Sequence, residues 1–275
     1  MTRKIHVVTT FHPSGYTQYA QRMIQTFLAT WPRDIVLHAY AEGCAVTESA
    51  SNLRVHDLES TVPELVAFKQ RYGSDPRYRG EVAFAPGKGS KIPGLGFKWD
   101  AIRFSHKVFA VCHAARHSGA DLLFWMDADM VCHSAMSHQF LERMVPDTAG
   151  VAFLGRRKKY TETGLYALNL TQAPTLELVD LMQGSYERAE QDLFLMPEWH
   201  DCQVFDEKRA IIQRRYPDWQ QVNWSEHLVM GEGHPLVNTE WRDYLDHLKG
   251  DRKSMGRSKR KDMVEASTHH YWNQR

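Results

Sequence analysis

Cysteine is scarce in this chain of 275 residues. Cys44, Cys112, Cys132 and Cys202 stand far apart, with no Cys-x-x-Cys pair and no regular spacing, so no disulfide framework is expected and a reducing compartment fits. Long apolar runs are lacking as well. No stretch approaches the length of a membrane span, and only Ile5 to Thr10 follows the Arg3-Lys4 pair, too short for a signal peptide. A soluble protein of the cytoplasm is the expectation. Net charge is nearly absent, with 34 basic residues against 33 acidic ones and a formal total of +1. No internal repeat is visible. The loop His12-Pro13-Ser14-Gly15 after the first apolar stretch matches neither Gly-x-Gly-x-x-Gly nor Gly-x-x-x-x-Gly-Lys-Ser/Thr, which excludes the dinucleotide-binding fingerprint and the phosphate loop.

What is present is enough apolar material for a core. Hydrophobic residues make up 43% of the chain, sufficient for one large α/β domain or two small ones. Lys4 to Phe11 reads as a first strand. A helix follows with Tyr16, Ala20, Met23 and Phe27 on its inner face, stopped by Trp31-Pro32. Ile35 to Tyr40 and Leu53 to Leu58 read as the next two strands. This opening, with alternating units after it, predicts a mostly parallel sheet flanked by helices. Pro63 to Tyr72 reads as helix. Residues 73 to 98 form a long loop rich in Gly, Pro and Lys, including Gly87-Lys88-Gly89-Ser90-Lys91 and Pro93-Gly94-Leu95-Gly96, and loops of this length are either functional or mobile. A helix from Trp99 to His117 then turns Phe104, Val108, Val111 and Ala115 toward the core.

The most informative stretch runs from Asp121 to Asp129. Leu122-Leu123-Phe124-Trp125-Met126 is an unbroken apolar run, the pattern of a strand buried on both faces. It ends in Asp127-Ala128-Asp129. Alternation along a strand sends both carboxylates the same way, out of the carboxyl end of the sheet, where open α/β folds bind ligands. Paired carboxylates repel unless a cation or hydrogen bonds offset them, and such oxygen ligands suit Mn²⁺ or Mg²⁺. An Asp-x-Asp triplet arises by chance about once in a chain of this length. The weight therefore rests on the strand before it and on the helical pattern after it, with Ser134 as cap and Met136, Phe140 and Met144 on one face.

Other candidates lie on either side. Arg103 and Lys107 share one face of the helix that leads into this strand, as solvated cations or as an anion site. His106, His113 and His117 read as a solvated stripe. Downstream, Val151 to Gly155 is a strand, Arg156-Arg157-Lys158-Lys159 a basic turn, and Glu162-Thr163-Gly164 a polar turn feeding a strand to Asn169. Gly164 either permits close backbone approach to a ligand or is a plain turn glycine. Asp201 opens a helix, as its N-cap or as a site carboxylate, with Trp199 beside it as a conceivable sugar platform. Residues 249 to 261 hold seven basic residues and one acid, Asp251. Such a run is a solvated or disordered segment, or else it binds polyanions or closes over a diphosphate.

Three of these pieces together resemble the GT-A class, metal-dependent glycosyltransferases that use nucleotide sugars on a single Rossmann-like sheet. Asp127-Ala128-Asp129 is similar to that class's Asp-x-Asp motif. His247-x-x-Gly250-x-x-Lys253 is similar to the His-x-x-Gly-x-x-Lys motif of the glycogenin-like branch, with Ser254-Met255 where the branch has Pro-Trp. Order and spacing agree from Lys4 to Lys253. The resemblance implies a catalytic domain over residues 1–246 and a basic segment, 247–275, that closes over the donor diphosphate. It implies Mn²⁺ or Mg²⁺ held by Asp127, Asp129 and His247, and a nucleotide sugar, above all a UDP-sugar, as donor. Donor contacts would come from Thr9, Thr10, Phe11, Arg103, Asp127, Gly164, Gly250 and Lys253.

The stereochemical course stays open at this point. An inverting enzyme would use Asp201, or Glu162 as second choice, as the base on the acceptor hydroxyl. A retaining one would use a leaving-phosphate oxygen and leave Asp201 to position the sugar. The acceptor is equally open between a saccharide, a lipid-linked glycan, a small molecule and a hydroxymethylated base in DNA. The last follows from a resemblance to phage enzymes that modify such bases, which would place the protein in the host cytoplasm. A metal-dependent nucleotidyltransferase is the alternative of another class, although Thr10 to Tyr16 lacks its Gly-rich basic loop. A silent binding module on the same fold is the third reading.

Overall fold

A computed structural model describes residues 3–81, 96–228 and 233–273. The glycine-rich segments at 87–91 and 93–95 lie outside the described residues. Nine strands appear among those described: β1 (Ile5–Phe11), β2 (Val36–Ala41), β3 (Leu53–Asp57), β4 (Leu122–Met126), β5 (Met130–Cys132), β6 (Ala149–Arg156), β7 (Lys159–Asn169), β8 (Gln220–Asn223) and β9 (Leu245–His247). Seven of them form one sheet in the order β3-β2-β1-β4-β7-β6-β8. Only β7 runs against its neighbours, so the sheet is mostly parallel, as the alternating pattern predicts. No helix among the described residues is long and apolar enough to cross a membrane.

The apolar run of β4 follows from what covers it. Leu122, Phe124 and Met126 pack on one side with Val7, Phe27 and Trp241, while Leu123 and Trp125 pack on the other with Val8, Val108 and Phe205. A strand covered on both faces has no reason to alternate. All five residues are at most 2% exposed, and cutting Phe124 back to Ala would cost about 3–5 kcal/mol.

Helices Pro63–Tyr72, Ala101–His117 and Asp201–Arg215 fall where the sequence pattern puts them, and a further helix spans Ala173–Glu187. Several details differ. The helix after β5 is His138–Met144, capped by Ser137, whose hydroxyl accepts from Phe140 N at 3.2 Å; Ser134 instead bonds His133. The N-cap of Asp201–Arg215 is His200, whose Nδ1 accepts from Gln203 N, which leaves the Asp201 carboxylate to other partners. Glu162, Thr163 and Gly164 are not a turn but part of β7, buried throughout from Thr161 to Asn169. His106 and His113 are not a solvated stripe: His106 pairs with Glu42 at 3.2 Å, and His113 Nδ1 lies 2.8 Å from Tyr40 Oη. The basic stretch after His247 is tied to the body of the fold by Lys249 paired to Glu162 and Lys253 to Asp129, while Arg252 pairs with Asp262 inside the stretch.

Candidate active site

The site is built by one turn and one distant strand. β4 stops at Met126, Asp127 N donates to Gly164 O on β7 at 2.8 Å, and Met130 N returns to Asp127 O at 3.1 Å. Asp127 and Asp129 therefore converge across a turn, rather than by strand alternation as the sequence suggests. β5 then pairs with β9, placing Met130 opposite His247, and Leu248 N donates to Asp129 O at 2.9 Å. This small ladder carries His247 across 118 positions of sequence to the acidic pair. Its Nε2 lies 3.0 Å from Asp129 Oδ1 and 3.6 Å from Asp127 Oδ2, with the ring fully buried.

Gly164 makes room for that ring. A Cβ there would stand 2.5 Å from His247 Cε1 and 3.3 Å from Asp127 Oδ2. The close approach that its missing side chain permits is to the imidazole, not to a ligand, and Gly164 does not line the cavity.

Charge is concentrated and paired. Burial alone would raise the Asp129 carboxyl, but His247 and Lys253 outweigh it and hold the group well below the usual carboxylate range. Burial would lower the His247 imidazole, and Asp129 raises it instead. Lys253 Nζ sits 3.1 Å from Asp129 Oδ2 and 4.2 Å from the centre of the Tyr19 ring. Lys107, which the sequence leaves undecided between solvent and an anion site, is buried at the centre: its Nζ meets Asp201 at 2.8 Å, Asp127 at 3.2 Å and the Thr163 carbonyl. It also lies over the Trp125 ring, whose Nε1 donates to Asp127 Oδ1 at 2.7 Å.

The two candidate bases are both engaged. Asp201 takes Lys107 and the Thr163 hydroxyl, and these override its burial to hold the carboxyl low. Glu162 is 2% exposed, and its burial is outweighed by Lys249 at 2.8 Å, with His234, His247 and Arg156 also close, so its carboxyl lies well below the ordinary range.

These residues meet at a cavity of about 910 Å³ lined by Thr10, Phe11, Arg103, Asp127, Asp129, Glu162, Asp201, Gly250 and Lys253, among others. Thr9 is not among them; its side chain is wholly buried. Trp199 is also buried, against Tyr78 and Phe194, and offers no exposed platform. Phe104, expected in the core, faces the cavity and meets His200 edge-on. Gly250, at φ 65° with nothing within 4 Å of an added Cβ, leaves its backbone open to the cavity.

Among the described residues three groups could hold a metal ion, in each of which the ligand atoms lie within 4.8 Å of one another. In the group of Glu162, His234 and His247 the carboxylate is taken by Lys249 and Arg156. In the group of His200, Asp201 and Cys202, Lys107 holds Asp201 and burial pushes the Cys202 thiol up to about 12. Asp127, Asp129 and His247 combine two hard oxygen donors with one imidazole at the cavity wall, a set that could take a divalent ion in exchange for the contacts of Lys107 with Asp127 and of Lys253 with Asp129.

No family model matches the chain, and no curated protein matches it. Among solved structures it is similar to mouse xyloside xylosyltransferase 1 in its apo form, at 14% identity over 79% of this chain and 84% of that one, with a TM-score of 0.46. It is also similar to the apo bifunctional glycosyltransferase WbbM, at 10% identity over 82% of this chain and 39% of that one, with a TM-score of 0.41. Likeness this remote leaves the functional reading to the site's own residues.

Proposed function

We propose that the chain is a metal-dependent glycosyltransferase of the GT-A kind, moving a sugar from a nucleoside-diphosphate donor to a hydroxyl acceptor. One observation carries this reading: the turn Asp127–Asp129 and the distant His247 converge at the cavity wall that also presents Lys253 and the open backbone of Gly250. Breaking the bond between a sugar and a diphosphate develops negative charge on the leaving group. A divalent cation held by Asp127, Asp129 and His247 would supply neutralising charge there. Lys253 would exchange Asp129 for a phosphate oxygen, with Arg103 as a second cation, and Thr10 and Phe11 would meet the base and ribose. The donor is a nucleotide sugar, with a UDP-sugar as the first to test. On this reading the catalytic body and the basic segment from His247 onward work together, the latter closing over the diphosphate.

Asp201 and Glu162 are held as ionised partners of Lys107 and Lys249, which makes each a weak proton acceptor. This favours the retaining course, with a leaving-phosphate oxygen taking the acceptor proton and Asp201 positioning the sugar. The acceptor we put first is a hydroxymethylated base in DNA, with a saccharide or lipid-linked glycan as the alternative, and a cytoplasmic setting follows from it. The test is incubation of the purified protein with a panel of nucleotide sugars and Mn²⁺. Slow release of nucleoside diphosphate that stops with chelator supports the reading. Pyrophosphate release would point to a nucleotidyltransferase, and binding without turnover to a silent module.

A further inference from the structure

The Asp127 carboxylate is divided between two tasks. Its Oδ1 accepts from Trp125 Nε1 at 2.7 Å and from Lys107 Nζ at 3.2 Å. Its Oδ2 accepts no hydrogen bond among the described residues and faces His247 Nε2 at 3.6 Å, the nitrogen that also lies 3.0 Å from Asp129 Oδ1. The oxygen left free is therefore the one on the side where Asp127, Asp129 and His247 meet.

Of the two donors to Oδ1, the indole is the one that fixes a direction. Lys107 divides its ammonium between Asp127, Asp201 and the Thr163 carbonyl, and three rotatable donors can follow a carboxylate as it turns. Trp125 has one N–H on a rigid ring. That ring is 2% exposed and stands on β4, which is paired on both sides to β1 and β7. It precedes Asp127 by two positions, the spacing that keeps strand side chains on one face. The carboxylate torsion itself is broad and two-fold, so without an anchor Asp127 can turn Oδ2 away from His247 and toward Lys107. A buried indole N–H needs some acceptor in any fold. The acceptor taken here is what gives this one a function, because a hydrogen bond to a ligating carboxylate orients it and tunes the metal.

We propose that Trp125 is a positioning residue of the metal site: its N–H holds Asp127 Oδ1 so that Oδ2 alone is turned to the ion. This rests on the metal site of the transferase reading, but not on the transfer reaction. The test is a double-mutant cycle of Trp125→Phe and Asp127→Ala in the full chain, with Mn²⁺ affinity read by calorimetric titration and the fold by urea midpoints. Trp125→Phe keeps a ring beneath Lys107 and removes the donor. It should lose about 10–100-fold in Mn²⁺ affinity. In the Asp127→Ala background, where the oxygen it positions is gone, the same change should alter affinity by less than about twofold. A purely structural role would lower affinity equally in both backgrounds. Should Trp125→Phe fail to fold, benzothienylalanine placed at position 125 keeps the fused ring and exchanges N–H for sulfur, with the same expected losses. Affinity within about twofold of wild type in the single variant, or an equal loss in both backgrounds, would overturn the proposal. A wild type that binds no Mn²⁺ would overturn the metal site and this role together, whereas one that binds Mn²⁺ but hydrolyses no nucleotide sugar would overturn the transferase reading alone.

Discussion

Gly164→Ala is the sharpest perturbation of the proposed metal site, because it adds one methyl group and no charge. The new Cβ would stand 2.5 Å from His247 Cε1 and 2.8 Å from Nδ1. Ordinary carbon–carbon contact begins at about 3.5 Å, so the ring must retreat by about 1 Å. His247 is fully buried and its β9 backbone is paired to β5, which leaves little space for that retreat. Overpacking of this kind costs about 1–3 kcal/mol of stability. An imidazole pushed out of line with Asp127 and Asp129 should lose about 10–100-fold in Mn²⁺ affinity, the range seen when a ligand's supporting contacts are removed. The assay is calorimetric Mn²⁺ titration of both proteins, with urea unfolding alongside. Gly250→Ala is the control: its φ of 65° imposes about 1 kcal/mol of backbone strain, but nothing lies within 4 Å of the new atom, so Mn²⁺ affinity should hold. A Gly164→Ala protein that folds and binds Mn²⁺ as tightly as wild type would refute the placement of His247 in the metal site.

Other perturbations address other parts of the structure. Lys107→Met should destabilise the protein by about 3–5 kcal/mol in urea unfolding, because Asp201 and Asp127 lose a buried cation; a loss below about 1 kcal/mol would show those carboxylates to be solvated. Acidification tests the buried imidazoles of β1 and β2. Burial lowers His38 to about 3 and His6 to about 4, while the unfolded chain protonates near 6.5. The unfolded state thus binds more protons below pH 6.5, and stability should fall from there to about pH 4 by about 1.4 kcal/mol per pH unit for each histidine. His247, shifted upward, contributes its stability fully throughout that window and does not mask the trend. Urea midpoints at pH 6.5 and 5.5 would decide this, and a flat or rising profile would contradict it.

The sheet and the acidic turn were legible because each leaves a local mark. An unbroken apolar run such as Leu122 to Met126 suits a strand covered on both faces, and His247, Gly250 and Lys253 stand at a spacing that can be read directly. What escaped was set by tertiary contacts. Lys107 looks like any exposed helix cation, and only the fold places two carboxylates around it. Glu162, Thr163 and Gly164 have turn-like composition, yet the ion pair to Lys249 and the need for space beside His247 put them inside a buried strand. Thr9 and Thr10 are adjacent and similar, and strand alternation buries one and sends the other to the cavity. Asp201 reads equally as N-cap or site carboxylate, and only the structure shows the cap to be His200, a residue type seldom found there.

Pulsed electron paramagnetic resonance on Mn²⁺ bound to the full chain tests the central assignment most directly, since it reads which nuclei touch the ion. The arrangement predicts coupling to a single imidazole nitrogen, present in wild type and absent in His247→Gln, with ion binding lost in Asp129→Asn. Mn²⁺ bound tightly with no nitrogen coupling would contradict it.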